Sequence, residues 1–436
     1  APGAMAAGFA LIEQSASQMG NAYAGGAAIA NDASTIYFNP AGMTRLPRQL
    51  IGGLHFVATQ AEFNGSANSL LGSPVAAGGD GGDAGGLGVI PNLYFTLPLN
   101  NRVVLGLGVN VPFGLATEYN DDWVGRYQAI KSEVTTININ PSIAFKATNS
   151  LSVGIGINYQ YMNAELTQAV DQGSLCIASL VAPPPAGPGL SPTAAGAACA
   201  GFGLTPQNSD AFAKVEGDNW AGGFNIGLLY EPGTDTRIGL SYRSKIKQQL
   251  LGDATYRNAS AFFTSNQVFV KSNISASVDL PQTASLSVYH DLNTQWSVMA
   301  DATWTGWSSF RELRIEYDSF QPDTAIDESW NDSMRYAVGL DYRYSNQWTF
   351  RGGLAFDESP VPNDAHRTAR IPGEDRTWLS LGVGYKMTPS LGIDVAYSHL
   401  FVKDPKTAHG TATTGTISGE YDASVDILSA QLVWNI

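Results

Sequence analysis

The stretch LSVGIGINYQY, residues 151–161, decides the fold class of this chain. Large apolar side chains occupy every second position from Leu151 to Tyr161, and Ser, Gly, Asn and Gln fill the positions between them. This alternation is typical of a β-strand with one face in an apolar medium and the other in polar surroundings. The same pattern recurs in MRYAVGLDYRY (334–344), WLSLGVGYKM (378–387), LGIDVAYSHL (391–400) and LSAQLVWNI (428–436).

The composition of the two faces favours a membrane barrel over a β-sandwich. The polar face is rich in Gly, Ser and Asn, whereas the apolar face ends in Tyr and Trp, as in a barrel with lipid outside and a polar lumen. Only 14% of the residues are charged, against about a quarter in soluble proteins. The sequence contains no run of 18 or more apolar residues, which a transmembrane helix would need. We therefore predict an all-β fold, a transmembrane antiparallel β-barrel.

Counting alternating segments gives about 14 strands, an even number as expected for bacterial outer-membrane barrels. Short turns alternate with long connections such as 166–213, which is also typical of that class and of its location in the outer membrane. The expected strands are 49–60, 88–97, 103–116, 133–146, 151–165, 214–230, 236–250, 274–290, 295–317, 333–345, 348–357, 376–387, 391–403 and 421–436.

A barrel of about 14 strands encloses more space than its own side chains fill. Residues 1–48 are too small and polar to span a membrane, so we expect them to plug the lumen, with weak helices around 11–18 and 21–31, and residues 49–436 to form the barrel. Asn39 and Pro40 form a rigid corner, because Pro fixes φ and extends the residue before it, and Ala41 permits close approach to the wall. A plain turn before the first strand remains the alternative.

Several other functions and ligands find little support. The net charge of −14 argues against nucleic acid as a partner.

Cys176 and Cys199 bracket a loop rich in Pro and Ala, which predicts one disulfide in an oxidising compartment rather than a metal pair. The single GGDGGDAGG (78–86) is expected to be a flexible outer loop, since calcium nonapeptides bind only when stacked. We expect no metal, no cofactor and no enzymatic activity, as no G-x-S-x-G segment is present.

Six segments carry a family resemblance, in family order along the whole chain. They resemble the FadL family of outer-membrane long-chain fatty acid transporters, and the last is the most specific. The segments are AGFAL (7–11), NAYAGGAAIANDASTIYFNPAGM (21–43), PFGLATEYNDDW (112–123), LSYRSKIK (240–247), WSVMADATWTGWSSFREL (296–313) and WTFRGGLAFDESPVP…IPGEDRTWLSLG (348–382).

The resemblance implies a plugged barrel with no open channel. It also implies that a hydrophobic ligand docks between long outer loops, reaches a tighter pocket, and leaves sideways through a kinked third strand after the N-terminal segment shifts. The matching positions are Asn39, Pro40 and Ala41 for the hatch motif, Phe9 for an aromatic near the pocket, and Pro112, Phe113 and Gly114 for the kink.

The residue types at positions 112 and 114 independently predict a kink in the third strand. Pro112 cannot donate a ladder hydrogen bond and Gly114 has no side chain to pack, so both weaken strand pairing. Unpaired backbone is tolerated in a bilayer only where protein or water covers it. The alternative is that Pro112 marks the outer end of the strand.

Two positions bear on the ligand. The family's fifth strand carries a lumenal arginine that can pair with a carboxylate, and Asn163 appears at the matching position, which leaves room for neutral ligands. Among the basic residues on or beside strands, Arg335 is the first candidate to hold a ligand carboxylate.

The favoured function is passive, ligand-gated uptake of long-chain fatty acids by lateral diffusion through the kink. The alternative is uptake of neutral hydrophobic compounds, alkanes or aromatic hydrocarbons. A hydrophilic porin and a barrel-embedded lipid hydrolase are the rivals from other classes. The expected partners are the hydrophobic ligand, outer-membrane lipid and lipopolysaccharide, and the expected state is a monomer.

Overall fold

The barrel predicted from the alternation is confirmed. A computed structural model describes residues 8–75 and 78–436. Over these residues the chain forms a closed antiparallel β-barrel of fourteen spans. The wall closes because strand β1 (Gln49–Asn68) pairs along its whole length with the last strand, Gly415–Asn435.

Some of the fourteen spans consist of two strands in succession, where the backbone breaks and resumes. The strands are β1 Gln49–Asn68, β2 Gly86–Pro98, β3 Val103–Asn110 continued by β4 Gly114–Glu118, β5 Lys131–Lys146, β6 Leu151–Asp171, β7 Asp210–Tyr230, β8 Thr236–Arg243 continued by β9 Ile246–Arg257, β10 Ser272–Leu280 continued by β11 Thr283–Asp291, β12 Trp296–Thr305 continued by β13 Glu312–Tyr317 with its hairpin partner β14 Thr324–Asp327, β15 Ser333–Arg343, β16 Trp348–Asp357, β17 Arg376–Lys386, β18 Leu391–Val402 continued by β19 Lys406–Thr411, and β20 Gly415–Asn435.

The strands next to the long loops extend further than the sequence pattern predicts. Strand β1 reaches residue 68 instead of 60, and β6 and β7 remain paired as far as Asp171 and Asp210. Beyond the lipid, the alternation of apolar side chains fades while backbone pairing continues, so the pattern marks only the membrane-embedded part of each strand.

The two faces of the wall differ as the alternation predicts. In β6, Ile155 and Ile157 are 49% and 63% exposed, whereas Asn158 and Gln160 face inward and are buried. The rings of Tyr159 and Trp220 stack with centroids 4.6 Å apart on the lipid-facing side. Such aromatic pairs are typical of the belt at a membrane interface.

We call residues 1–48 the hatch. Residues 8–48 lie inside the barrel and are mostly buried, whereas the prediction for residues 1–7 falls outside the described residues. The hatch contains the short helices α1 (Ala16–Met19), α2 (Gly26–Ile29) and α3 (Thr35–Phe38) and a 3₁₀-helix over Pro40–Arg45. The weak helices expected around 11–18 and 21–31 are present only as the short helices α1 and α2. Left-handed backbone at Ala22 and Tyr23, with φ values of +53° and +57°, separates them and shortens the second.

Small residues let the hatch lie directly against the wall. An added Cβ at Gly154 on β6 would collide with the backbone nitrogen of Ala41, and one at Gly239 on β8 would collide with the carbonyl oxygen of Ala27. The small inward-facing residues of the alternating pattern therefore accommodate the plug.

The outer loops contain α4 (Gln172–Val181), α5 (Pro192–Gly201) and α6 (Ala261–Thr264). The predicted disulfide is present and joins Cys176 of α4 to Cys199 of α5. None of the helices among the described residues is both long enough and apolar enough to cross a membrane.

The packing at Gly154 predicts the effect of a larger side chain. Gly154→Val should keep the hatch from seating while the barrel still assembles, because the outer face of β6 is unchanged. Since the barrel encloses more volume than its wall residues fill, ion conductance in planar bilayers should rise well above that of the unmodified protein. Gly52→Val is the matched control, because a Cβ there meets no atom within 4 Å. Equal conductance of the two variants would contradict the account.

Candidate functional site: a broken wall, two cavities and the hatch

The third span of the barrel is interrupted between Asn110 and Gly114. Strand β3 ends at Asn110, and β4 begins at Gly114 and pairs with β5. Pro112 therefore interrupts the span and does not mark its outer end. Among the described residues, β2 pairs with β3 only from Leu93 to Pro98, so 86–92 has no strand partner on that side.

The first residues of the hatch hydrogen-bond to the break in place of a strand. The Gly114 N–H donates to the carbonyl oxygen of Phe9 over 3.0 Å, and the Leu11 N–H donates to that of Pro112 over 2.8 Å. Ala10 forms an isolated antiparallel bridge with Phe113. The hatch and the break are therefore one hydrogen-bonded unit.

Two side chains complete this unit, and the sequence analysis missed both. Gln14 donates from Nε2 to the carbonyl oxygen of Val111 over 2.8 Å. The Thr136 Oγ1 accepts from the Phe113 N–H over 3.0 Å and donates to its carbonyl oxygen over 2.6 Å. Thr136 stands out in sequence only once the register between the third and fourth spans is known.

Phe9 lies at the centre of an aromatic cluster beside the break. Its ring centroid is 5.9 Å from that of Phe113, 5.0 Å from Trp307 and 5.8 Å from Phe310. Phe9 is 3% exposed. A shift of the hatch at Phe9 would therefore change the packing against Phe113 at the break and against Trp307 and Phe310 beside it.

Phe9 forms one end of an apolar space that we call the inner cavity. Its volume is about 70 Å³, well below the roughly 300–1,000 Å³ typical of ligand pockets. An acyl chain can enter only if side chains such as Phe9 move. The inner cavity is lined by Phe9, Leu115, Val134, Met162, Ala164, Leu166, Val215, Glu216, Gly217, Leu250, Ile274, Ala276, Val278, Phe310, Leu313, Ile315, Glu328, Arg370 and Ile371.

A second space, the outer groove, lies between the long loops. It has a volume of about 690 Å³, and its walls include Leu175 of α4, Phe263 of α6 and Tyr317 of β13. The outer groove therefore has the size of a ligand pocket. It shares Leu166, Val215, Ile315 and Arg370 with the inner cavity.

Arg370 lies where the outer groove meets the inner cavity, and Glu328 lines the inner cavity. Arg370 and Glu328 are 6% and 3% exposed. Burial raises the pKa of Glu328 to about 8, opposed by its hydrogen bond from Trp330 and by the charge of Arg370. Burial lowers the pKa of Arg370 to about 10, which leaves it cationic at neutral pH.

The hatch motif lies at the other end of the hatch, against the wall. The Asn39 Nδ2 donates to the carbonyl oxygens of Ala27 and Leu228 over 2.6 and 2.9 Å, and its Oδ1 accepts from the Ala41 N–H over 3.0 Å. Pro40 begins the 3₁₀-helix that follows. Asn39 thus joins two parts of the hatch to the barrel.

The remaining predicted ligand residues lie away from the inner cavity. Met162 and Ala164 line that cavity, so Asn163 between them faces the opposite side of β6. The expectation that Asn163 is a lumenal ligand residue is wrong, because Asn163 points away from the inner cavity.

Arg335 lies on the lumen side in a separate cavity of about 130 Å³. Its Nη2 donates to the carbonyl oxygen of Ala22 over 2.7 Å, and its guanidinium lies 5.2 Å from the Trp378 ring. The hatch residue Glu13 is close by, and burial raises its pKa to about 7 against the pull of Arg376 and Arg335. A ligand contact for Arg335 stays a prediction.

Comparison with known proteins identifies the family. A family model described as outer membrane protein transport protein (OMPP1/FadL/TodX) matches residues 1–435. The chain belongs to this family. Like other FadL/TodX family members it is an outer-membrane protein, and its strands cross the bilayer. The long-chain fatty acid transport protein of Escherichia coli K12 is 31% identical over 418 residues, which cover 93% of this chain and 90% of that protein.

Other FadL/TodX family members show the same relationship. Outer membrane protein P1 of Haemophilus influenzae is 32% identical over 410 residues, covering 92% of this chain and 87% of its own. The crystal structure of a Pseudomonas aeruginosa FadL homologue covers 98% of this chain and 100% of that chain, with a TM-score of 0.89 and 28% identity. The Pseudomonas putida toluene transporter TodX, at 17% identity and a TM-score of 0.70, shows a likeness of fold alone.

The contacts of Asn39 predict how firmly the hatch is held in this FadL/TodX protein. Asn39→Ala would remove the side-chain donor from the buried carbonyl of Ala27 and the part-buried carbonyl of Leu228, and the buried group alone costs about 1–3 kcal/mol. The hatch should then be digested by added protease at least ten times faster, while the barrel remains resistant. The control is Asn64→Ala, at an exposed position on β1. Equal digestion rates in the two variants would show that Asn39 does not hold the hatch.

Proposed function

We propose that this protein takes up long-chain fatty acids across the outer membrane by passive, ligand-gated lateral diffusion. A fatty acid collects in the outer groove, passes into the inner cavity and leaves through the wall at Pro112, Phe113 and Gly114. The observation that carries the proposal is the pairing of hatch residues Phe9 and Leu11 with the broken span. Relatives about a third identical are named long-chain fatty acid transport proteins, which supports this substrate class.

Each segment of the chain has a role along this route of the ligand. Residues 1–48 act as the hatch and 49–436 as the barrel. Phe9 contacts the ligand, because it forms one end of the inner cavity. Asn39, Pro40 and Ala41 keep the remainder of the hatch seated while the first residues move. The barrel acts as a monomer, surrounded by outer-membrane lipid and lipopolysaccharide.

The gate follows from the small size of the inner cavity. At about 70 Å³ it cannot hold an acyl chain while Phe9 occupies its end. Entry of the ligand displaces Phe9, and movement of Phe9 breaks the hydrogen bonds that its carbonyl and Leu11 make with the break. The same step that seats the ligand therefore opens the wall toward the bilayer.

Neutral hydrocarbons are the second candidate, favoured by the mostly apolar lining of the inner cavity. Uptake of oleate and of octadecane into proteoliposomes containing the protein separates the two. We expect faster uptake of oleate. Faster uptake of octadecane would make the neutral compound the substrate, and uptake of neither above protein-free vesicles would refute the proposal.

A disulfide between hatch and break tests the gate. Ala10→Cys with Phe113→Cys places two thiols at a bridge pair. Oxidation should abolish oleate uptake, because the hatch can no longer leave the break, and mild reduction should restore it. The single-cysteine variants and the unmodified protein, oxidised and reduced in parallel, control for the native disulfide and for loss of the Phe113 ring. Full uptake by the cross-linked protein would exclude an exit at this break.

A further inference from the structure

Arg370 is a buried cation at the junction of the outer groove and the inner cavity. It belongs to the loop between β16 and β17 and lines both the outer groove and the inner cavity. It is 6% exposed. The rest of the shared lining, Leu166, Val215 and Ile315, is apolar.

The neighbours of Arg370 are neutral. Its Nη1 donates to Ser132 Oγ over 3.0 Å and its Nη2 to Gln168 Oε1 over 2.7 Å. Among the described residues its Nε is buried without an acceptor, and no carboxylate oxygen lies within 4.0 Å of the guanidinium. A buried charge without a counter-ion is costly unless a partner is supplied.

The one acid that lines the inner cavity beside Arg370 and is itself buried does not supply that partner. Glu328 accepts a hydrogen bond from Trp330 Nε1 over 3.0 Å. With its pKa raised to about 8 by burial, it is mostly protonated at neutral pH. The charge of Arg370 therefore remains available to a ligand.

We propose that Arg370 binds the carboxylate of the fatty acid at the junction of groove and cavity, through its unpaired Nε, and thereby selects fatty acids over neutral hydrocarbons. This inference rests on the proposed function. The acyl chain then extends toward Phe9 through the inner cavity, whose lining is mostly apolar. The cation is supplied by a loop, and not by the fifth span where family resemblance places an arginine.

The expected loss of oleate affinity follows from the charge of Arg370. A hydrogen bond to a charged partner is about twice as strong as a neutral one, and its loss in a buried site lowers affinity by about tenfold to a hundredfold. A neutral ester of the same chain length makes no such bond. Oleate and methyl oleate therefore separate the contribution of the head group from that of the chain.

The test is equilibrium binding of oleate and methyl oleate to the full-length protein in lipid nanodiscs at pH 7.5. The unmodified protein should bind oleate at least ten times more tightly than methyl oleate. Arg370→Gln should weaken oleate binding at least tenfold and change methyl oleate binding less than twofold. Arg370→Lys should retain most of the oleate affinity, and Arg311→Gln, at an exposed position between β12 and β13, should match the unmodified protein.

Two results would overturn the inference. One is equal affinity of the unmodified protein for oleate and methyl oleate, a comparison that needs no variant to fold. The other is a loss in Arg370→Gln that is the same for both ligands, which indicates a structural role. Either result leaves uptake of hydrophobic ligands intact, whereas binding of neither ligand by the unmodified protein would instead refute the proposed function.

Discussion

In a bilayer every backbone N–H and C=O group needs a hydrogen-bond partner within the protein or in trapped water, and at the break in this wall the hatch supplies it. The carbonyl of Phe9 accepts from the Gly114 N–H and the N–H of Leu11 donates to the carbonyl of Pro112, while Gln14 binds the carbonyl of Val111 and Thr136 of β5 binds Phe113. Under the proposed function, movement of the hatch and opening of the wall are therefore the same event. A barrel with an intact third span would need no such arrangement, and its plug could move without consequence for the wall.

This coupling suits a passive transporter because ligand binding can compensate for the broken hydrogen bonds. Leaving three buried groups without partners costs about 3–9 kcal/mol in all, and binding with micromolar affinity releases about 8 kcal/mol. Ligand binding can therefore offset the opening without another energy source. The rest of the hatch is anchored separately: Asp32 accepts hydrogen bonds from Ser17 over 2.5 Å and from Gln431 over 3.1 Å. Only the first residues of the hatch need to move.

The sequence predicts the parts of this protein in which apolar and polar residues alternate along a strand. It predicts the hatch and the loops less well, because they lack this alternation. Alternation in 151–161 and its repeats predicts the barrel, because lipid and lumen act on successive residues. The chemistry of Pro112 predicts the interruption of the third span. The helices of the hatch are shorter than the sequence indicates because left-handed backbone at Ala22 and Tyr23 interrupts them. Asn163 lies on the face of β6 away from the inner cavity, and nothing in the sequence points to Arg370 because a loop carries no periodic signal.

The most direct test of the coupling is amide hydrogen exchange at Leu11 and Gly114, measured with and without saturating oleate in lipid nanodiscs. Both N–H groups join the hatch to the break. If ligand binding frees the hatch, both amides should exchange markedly faster when oleate is bound, while amides of β6 stay protected. If both remain protected while oleate is bound and taken up, the wall does not open by release of the hatch, and the central claim is wrong.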